Sequence, residues 1–407
     1  MSIERIVIVG AGLAGAKGAQ AVREAGFEGQ LTLVGEEHEF PYERPPLSKE
    51  FLMGRKPRND SRVHEPTWYD EHGVDVRLGV RASAVNRELG IVELEDGQSL
   101  AYDRLMLATG SRPRHPAFPG ADAEGVHYLR TIGDSERLKA TLAKVQSVAI
   151  VGAGWIGLEA AAAARDAGVQ VTVVEPQTLP LLSVLGAEMG ALFAELHRRH
   201  GVELRLGVEV DAVLVRDGRP YGLALGDDTV VHADAVLIAV GAVPNTELAQ
   251  QCGLAVDRGV LTDAALRTSD PAVTAAGDVA RAEHPVLGGR IRVEHWANAL
   301  KQPAVAAATM LGQPAVYADL PYFFTDQFDL GMEYVGYVEP EATPRIVLRG
   351  AAESGEFIAF WTVDGRVRAG MNVNVWDVTD DVKALILSGK SVDVDRLADP
   401  RVPLSEL

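Results

Sequence analysis

Apolar residues in this chain fall into short runs divided by small or polar ones, and one arrangement of runs occurs twice. Ile6–Val9 is apolar and long enough for a buried strand. Ala14, Ala16 and Ala19 then favour a helix up to Gly26, and Leu31–Val34 predicts a second buried strand closed by Gly35 and Glu36. The order returns at Ser147–Val151, the alanine-rich stretch Ala160–Ala164, and Val169–Val174 ending at Glu175. Each unit continues with a β-rich segment. In the first, Val74–Gly79 is followed by Ala84–Asn86 and Gly90–Leu94 around an Asp96-Gly97 turn; in the second it is Val202–Val231. Each then closes with an apolar strand ending in glycine, within Tyr102–Gly110 and Ala235–Gly241. From about Asp319 the pattern changes to alternating aromatics, which predicts antiparallel strands with a helix near Val378–Leu387. The fold class expected is α/β, with two Rossmann-like dinucleotide-binding domains and a C-terminal α+β domain.

Proline and glycine punctuate these elements. Pro41, Pro45 and Pro46 prevent a regular helix at the start of PYERPPLSKEF, after which Ser48 is placed to cap a helix over Lys49–Met53. Pro113, Pro116 and Pro119 mark one linker, and Pro244-Asn245 opens another. Gly277-Asp278 stands at the head of an expected helical region.

The glycines between strand and helix supply candidate chemistry. Gly10, Gly12 and Gly15 have GxGxxG spacing, and Gly152, Gly154 and Gly157 repeat it. The first glycine of such a set makes the tight turn, the second lets backbone approach a pyrophosphate, and the third lets helix pack on strand. The helix N-terminus then offers unpaired N–H groups to phosphate. Glu36 and Glu175 fall where a carboxylate accepts from ribose hydroxyls. Two complete units imply two bound nucleotides.

Composition narrows the classes. The 407 residues suggest two to three domains, and 47% hydrophobic with 24% charged residues is ordinary for a globular protein. A net charge of −18 argues against nucleic acid as a partner. No apolar run reaches the roughly 18 residues that suggest a membrane span. A strand beginning near residue 3 leaves no room for a signal peptide, and a single cysteine, Cys252, rules out an intrachain disulfide framework; a cytoplasmic location is expected. Arg55, Lys56 and Arg58 form a candidate basic docking cluster.

Further motifs carry a resemblance. RPPLSK (Arg44–Lys49), YDRLMLATG (Tyr102–Gly110), YLRT (Tyr128–Thr131), VGAVPN (Val240–Asn245), TSDP, GDVA (Gly277–Ala280), HWANALKQ (His295–Gln302) and FFTDQF (Phe323–Phe328) accompany the paired glycine units. From about Ile3 to Tyr337 the chain resembles the FAD-dependent, NADH-oxidising ferredoxin reductases that serve Rieske-type dioxygenases and haem monooxygenases, within the glutathione-reductase-like class. It departs from them at Phe324, where a Trp is often found, and at MNVNVWDV (Met371–Val378), whose Trp376 either faces the flavin or fills the core.

The resemblance implies an FAD-binding domain in two parts, 1–112 and 236–317, an NADH-binding domain at 113–235 and a C-terminal domain at 318–407. It implies FAD contacts from Gly10, Gly12, Leu13, Ala14, Gly15, Glu36, Arg44, Lys49, Val80, Ala108, Thr109, Gly110, Arg130, Gly277, Asp278 and Trp296. The NADH unit would contribute Gly152, Gly154, Ile156, Gly157, Glu159, Glu175 and Gly241. Lys49 and Glu159 are the implied catalytic pair, meeting at the flavin edge where the nicotinamide stacks. No metal is implied.

A two-iron ferredoxin is the implied electron acceptor, followed by an oxygenase, with the reductase a monomer or homodimer and no nucleic acid or membrane involved. Disulfide reductases carry a cysteine pair beside the flavin, and NADH peroxidases and coenzyme A disulfide reductases one cysteine; the region Tyr42–Lys49 has none. The alternatives are a rubredoxin reductase, an NADH oxidase, or a regulatory flavoprotein like the relatives of apoptosis-inducing factor.

Overall fold

The computed structural model describes residues 3–339 and 341–407. Two open parallel sheets repeat one plan. In the first, the order is Val273–Ala275, Arg104–Leu107, Arg5–Val9, Gln30–Gly35 and Val74–Leu78. In the second it is Val202–Leu206, Gln170–Glu175, Ser147–Val151, Ala235–Ile238 and Val126–His127. The central strands carry apolar residues on both faces because both are covered. In the first unit helices Leu13–Glu24 and Trp296–Met310 pack together over Ile6, Ile8, Leu31 and Leu33, while Val7, Val9 and Val34 meet Val85, Val92 and Leu94. In the second, helix Trp155–Asp166 covers Val148, Ile150 and Val173, while Ala149, Val151 and Val174 meet Val213, Leu223 and Leu225.

The opening strand of each β-rich segment, Val74–Leu78 and Val202–Leu206, joins its parallel sheet. Only the remainder forms an antiparallel appendage, with strands Ala82–Asn86, Ile91–Leu94 and Ser99–Ala101 in one unit and Val210–Arg216, Arg219–Leu225 and Val230–His232 in the other. The chain passes between the units twice, and the two crossings lie side by side. Ser111–Pro113 and Ala242–Pro244 pair as an antiparallel ribbon where the sequence suggested two separate linkers.

The C-terminal segment is an antiparallel sheet in the order Tyr322–Gln327, Leu330–Gly336, Arg366–Val373, Glu356–Val363 and Arg345–Ala351, with the expected helix at Thr379–Ser388. One face of this sheet is continuous with the core of the second unit. Met332, Tyr334, Phe357, Trp361 and Met371 pack in one cluster with Leu158, Leu185 and Phe193. Trp361, 2% exposed, donates its indole N–H to the Leu185 carbonyl at 3.2 Å. An aromatic buried this deeply contributes about 3–5 kcal/mol when compared with alanine.

Two local expectations are corrected. Lys49–Met53 is a set of turns: the prolines fix a single 3₁₀ turn at Pro45–Ser48, and Lys49 leaves it with ψ −113°. Gly277-Asp278 does not begin an α-helix. Gly277 takes φ +79°, Gly277–Val279 is one 3₁₀ turn, and a strand, Ala280–Glu283, follows; the long helix starts only at Trp296.

Candidate functional site

The two glycine turns superimpose in their logic. Gly10 and Gly152 adopt φ +113° and +102°, and their N–H groups donate to Val34 and Val174 at 2.8 Å in each case. A Cβ on Gly15 would lie 1.9 Å from the Gly10 carbonyl oxygen, and one on Gly157 would lie 2.1 Å from that of Gly152. These glycines are therefore demanded by the protein's own packing. Gly12 and Gly154 are different: a Cβ there meets nothing within 4 Å. Each precedes the first residue of a helix with no side-chain cap, so the leading N–H groups face open space.

The first turn opens into a cavity of about 1160 Å³. Gly10, Gly12, Leu13, Ala14, Glu36, Arg44, Lys49, Val80, Ala108, Thr109, Gly110, Arg130, Gly277, Asp278 and Trp296 line it, and Ile156 and Glu159 reach it from the second unit. Gly15 sits behind the wall in the helix–strand contact. Gly152, Gly154, Gly157, Glu175 and Gly241 gather instead around the second unit's turn and the ribbon, outside this lining.

Much of the charge in the cavity is paired. Arg130 meets Asp278 at 2.7 Å, and the Ser111 hydroxyl donates to the same carboxylate oxygen at 2.8 Å. Arg44 pairs with Glu37 at 2.8 Å and donates to the Arg130 carbonyl, tying the YERPP loop to the YLRT segment. Three buried donors or acceptors in the wall have no protein partner: Arg130 Nε, His295 Nδ1 and Trp296 Nε1. Burial pushes the His295 imidazole down to about 4, so it is neutral near pH 7. A long cavity with an open helix N-terminus at one end and orphaned polar atoms at the other has the donor set of a dinucleotide site, and FAD fits it.

Lys49 and Glu159 do come together. Their Nζ and Oε1 atoms are 2.9 Å apart, with side chains only 6% and 7% exposed. Glu159 also accepts from the Ser48 hydroxyl at 2.5 Å and from the Thr325 hydroxyl at 2.6 Å. Lys49 Nζ lies 5.1 Å from the centre of the Phe324 ring, which stands edge-on to Trp296. Ser48, placed by the sequence as a helix cap, instead holds Glu159. Thr325 and His295 lie inside FFTDQF and HWANALKQ, motifs in which the sequence alone assigns them no role. The signal for Thr325 was the alternation in Tyr322–Gln327, which turns Phe323, Thr325 and Gln327 to one face and so buries two polar side chains.

Glu36 is exposed at the cavity rim. Glu175 is not free: Oε2 accepts the Ala153 N–H at 2.8 Å and Oε1 the Gln177 N–H at 3.0 Å, which fixes its carboxylate beside the second turn. Other expectations shift. Arg55 pairs with Asp166 at 2.6 Å, and Arg58 with Glu39 at 2.6 Å and Glu136 at 3.0 Å, so the proposed basic cluster is largely neutralised. Trp376 neither fills the core nor lines the cavity; it lies against Gly331, 54% exposed.

Among the described residues no helix is long and apolar enough to cross a membrane. Residues 4–303 match the family model described as pyridine nucleotide-disulphide oxidoreductase, and residues 322–407 match that described as reductase C-terminal. The chain is 40% identical over 407 residues, 99% of each sequence, to the anthranilate 1,2-dioxygenase system ferredoxin–NAD(+) reductase component of Burkholderia cepacia. It is 35% identical to the putidaredoxin reductase of Pseudomonas putida, covering 99% of this chain and 96% of that one. In structure it is similar to the covalent putidaredoxin reductase–putidaredoxin complex, with a TM-score of 0.95 and 34% identity over 99% of this chain and 97% of that one. A shared double-glycine architecture, a shared C-terminal domain and end-to-end similarity place the chain in the pyridine nucleotide-disulphide oxidoreductase family, among its ferredoxin–NAD(+) reductases.

Proposed function

We propose that this protein is a cytoplasmic FAD-containing reductase that takes a hydride from NADH and passes electrons singly to a small two-iron ferredoxin serving an oxygenase. The carrying observation is the cavity itself. It begins at the first glycine turn and ends at Lys49–Glu159, where the second unit's helix start supplies Trp155, Ile156 and Glu159 to the same wall. The family names of the relatives support the acceptor: an oxygenase-system reductase component and a reductase joined to its redox partner. Disulfide reduction is disfavoured because Cys252, the chain's single cysteine, is not among the cavity residues.

FAD, when bound, accepts two electrons as a hydride and releases them one at a time. The chain's residues do the rest. In this reading 1–112 and 236–317 hold FAD, 113–235 holds NADH, and 318–407 closes the flavin end. The N–H groups after Gly12 and the positive helix end would meet the pyrophosphate, which the absence of a side chain at Gly12 leaves room to approach. Asp278, held by Arg130 and Ser111, would offer FAD a fixed acceptor. Lys49 presents a cation where negative charge develops, and Glu159 keeps that ammonium in place. Trp296, Phe323 and Phe324 exclude water from this end.

The test is direct. The purified protein should be yellow, with one FAD per chain, should bleach anaerobically with NADH, and should reduce ferredoxins encoded in its own genome faster than it consumes oxygen. A colourless protein that takes up no flavin would sink the proposal, and oxygen consumption outpacing every ferredoxin would favour an NADH oxidase.

A further inference from the structure

Behind Glu159 runs a line of buried polar side chains that the reductase reading does not use. Thr325, Gln327 and His197 are 1%, 0% and 0% exposed. Their contacts are Thr325 Oγ1 to Glu159 Oε1 at 2.6 Å, Gln327 Nε2 to Thr325 Oγ1 at 3.1 Å, and His197 Nε2 to Gln327 Oε1 at 2.8 Å. The line crosses from helix Trp155–Asp166 to strand Tyr322–Gln327 and back to helix Ala187–Arg199.

Hydrogen counting fixes its direction. An ionised carboxylate only accepts, so the one hydroxyl hydrogen of Thr325 is committed to Glu159. Thr325 can then only accept from Gln327, which must turn its NH₂ toward the threonine and its carbonyl toward His197. That carbonyl requires a proton on His197 Nε2 and leaves Nδ1 bare. Nδ1 is indeed without a partner. Burial holds the imidazole at about 4, neutral as this arrangement requires. Apolar residues of equal size would fill the same space with no desolvation cost, so stability alone does not account for the line.

We propose that Thr325, backed by Gln327 and His197, is a positioning residue for Glu159. It gives the Glu159 oxygen that meets Lys49 a second donor, which tempers the carboxylate's pull on the ammonium and so keeps Lys49 at the flavin edge. The proposal rests on the reductase reading for the role of Lys49, and its geometry stands without it.

The experiment uses the FAD-loaded protein and Thr325→Val, which keeps the shape and deletes the donor. The flavin midpoint potential should fall, with the equilibrium constant for two-electron reduction about tenfold lower, or ~30 mV. Hydride transfer from NADH should slow about tenfold. Thr325→Ser should restore both to within about twofold, and Thr325→Val should cause no further change in a Glu159→Gln background. A wild-type potential in Thr325→Val, or an equal shift with and without Glu159, would overturn the proposal. A second readout needs neither Thr325→Val nor flavin. In uniformly ¹⁵N-histidine-labelled protein, the resonance lost on His197→Gln should report a neutral ring protonated on Nε2, and protonation on Nδ1 would overturn the line. Wild type that binds no FAD or is not reduced by NADH would instead refute the reductase reading, leaving the tautomer test intact.

Discussion

The two glycine turns share one backbone and differ in what stands opposite. Later segments of the chain bring Arg130, Asp278 and Trp296 across the first turn and wall it into a cavity; the second turn has Glu175 bonded to its own Ala153 N–H. One site is assembled from many separated stretches of sequence, the other, as proposed, from a single strand–turn–helix and its following acid. A ligand enclosed by distant segments leaves only when they part, whereas one held by a local turn exchanges freely. The comparison therefore separates a retained cofactor from a substrate that must come and go, on the same fold.

The residues joining the two sites offer the largest test. Lys49→Met leaves Glu159 buried without its counter-charge, and denaturant unfolding should register a loss of about 3–5 kcal/mol. Adding Glu159→Leu should recover most of it; a single change costing under about 1 kcal/mol would mean the pair does not bind the units together. Next come the glycines. Gly15→Ala and Gly157→Ala should each destabilise by up to about 3 kcal/mol, because the new methyl meets backbone. Gly12→Ala and Gly154→Ala should shift thermal unfolding of the ligand-free protein by under about 0.5 kcal/mol. Titration calorimetry should nonetheless show Gly12→Ala weakening FAD, and Gly154→Ala weakening NADH, by at least about tenfold. If each of the latter weakened both ligands, the separation of the two sites would fail.

Acid should act with similar size. The folded value of His197, about 4, lies below its ordinary 6.5, so the unfolded chain takes up the proton first. Stability is whole above pH 6.5 and falls as the pH drops toward 4, by up to about 3 kcal/mol. His197→Gln should flatten that part of the pH–stability curve; an unchanged slope would argue that His197 is not the group responsible. The smallest effect concerns the second site alone. Glu175, clamped by two backbone N–H groups, would oppose the 2′-phosphate of NADPH at fixed range, and no arginine occurs over 176–182 to receive it. NADH should be preferred by at least about tenfold in specificity constant, ~1.4 kcal/mol, and Glu175→Ala should narrow that margin. Equal specificity constants in the unmutated protein would refute the role given to Glu175.

What the sequence disclosed follows from how far apart the partners are. The glycine turns, their strands and the C-terminal alternation are local patterns, and the structure repeats them nearly residue for residue. Lys49–Glu159 entered only through family resemblance, since no local signal links residues 110 apart. Thr325 and His197 lie still farther from their partners, 166 and 130 residues away. The Lys49–Met53 helix failed because Ser48 was assigned to its nearest backbone, while its hydroxyl serves Glu159 in another unit. The partners of the basic cluster were illegible for the same reason: Arg55 pairs with Asp166, and Arg58 with Glu39 and Glu136, all distant in sequence.

The ribbon of Ser111–Pro113 against Ala242–Pro244 has a consequence for engineering. It fixes the two ends of the intervening unit as hydrogen-bonded neighbours, about 5 Å apart. A segment whose ends are held together can be replaced as a cassette, because its host strands keep their register whatever lies between them. Exchanging 114–241 for a relative's unit should transplant the coenzyme preference proposed for it, provided the graft keeps Arg130, Ile156 and Glu159, which this segment contributes to the flavin cavity. The graft must bring the face that carries Phe193 and the Leu185 carbonyl, because Trp361 and Tyr334 wait there for that partner.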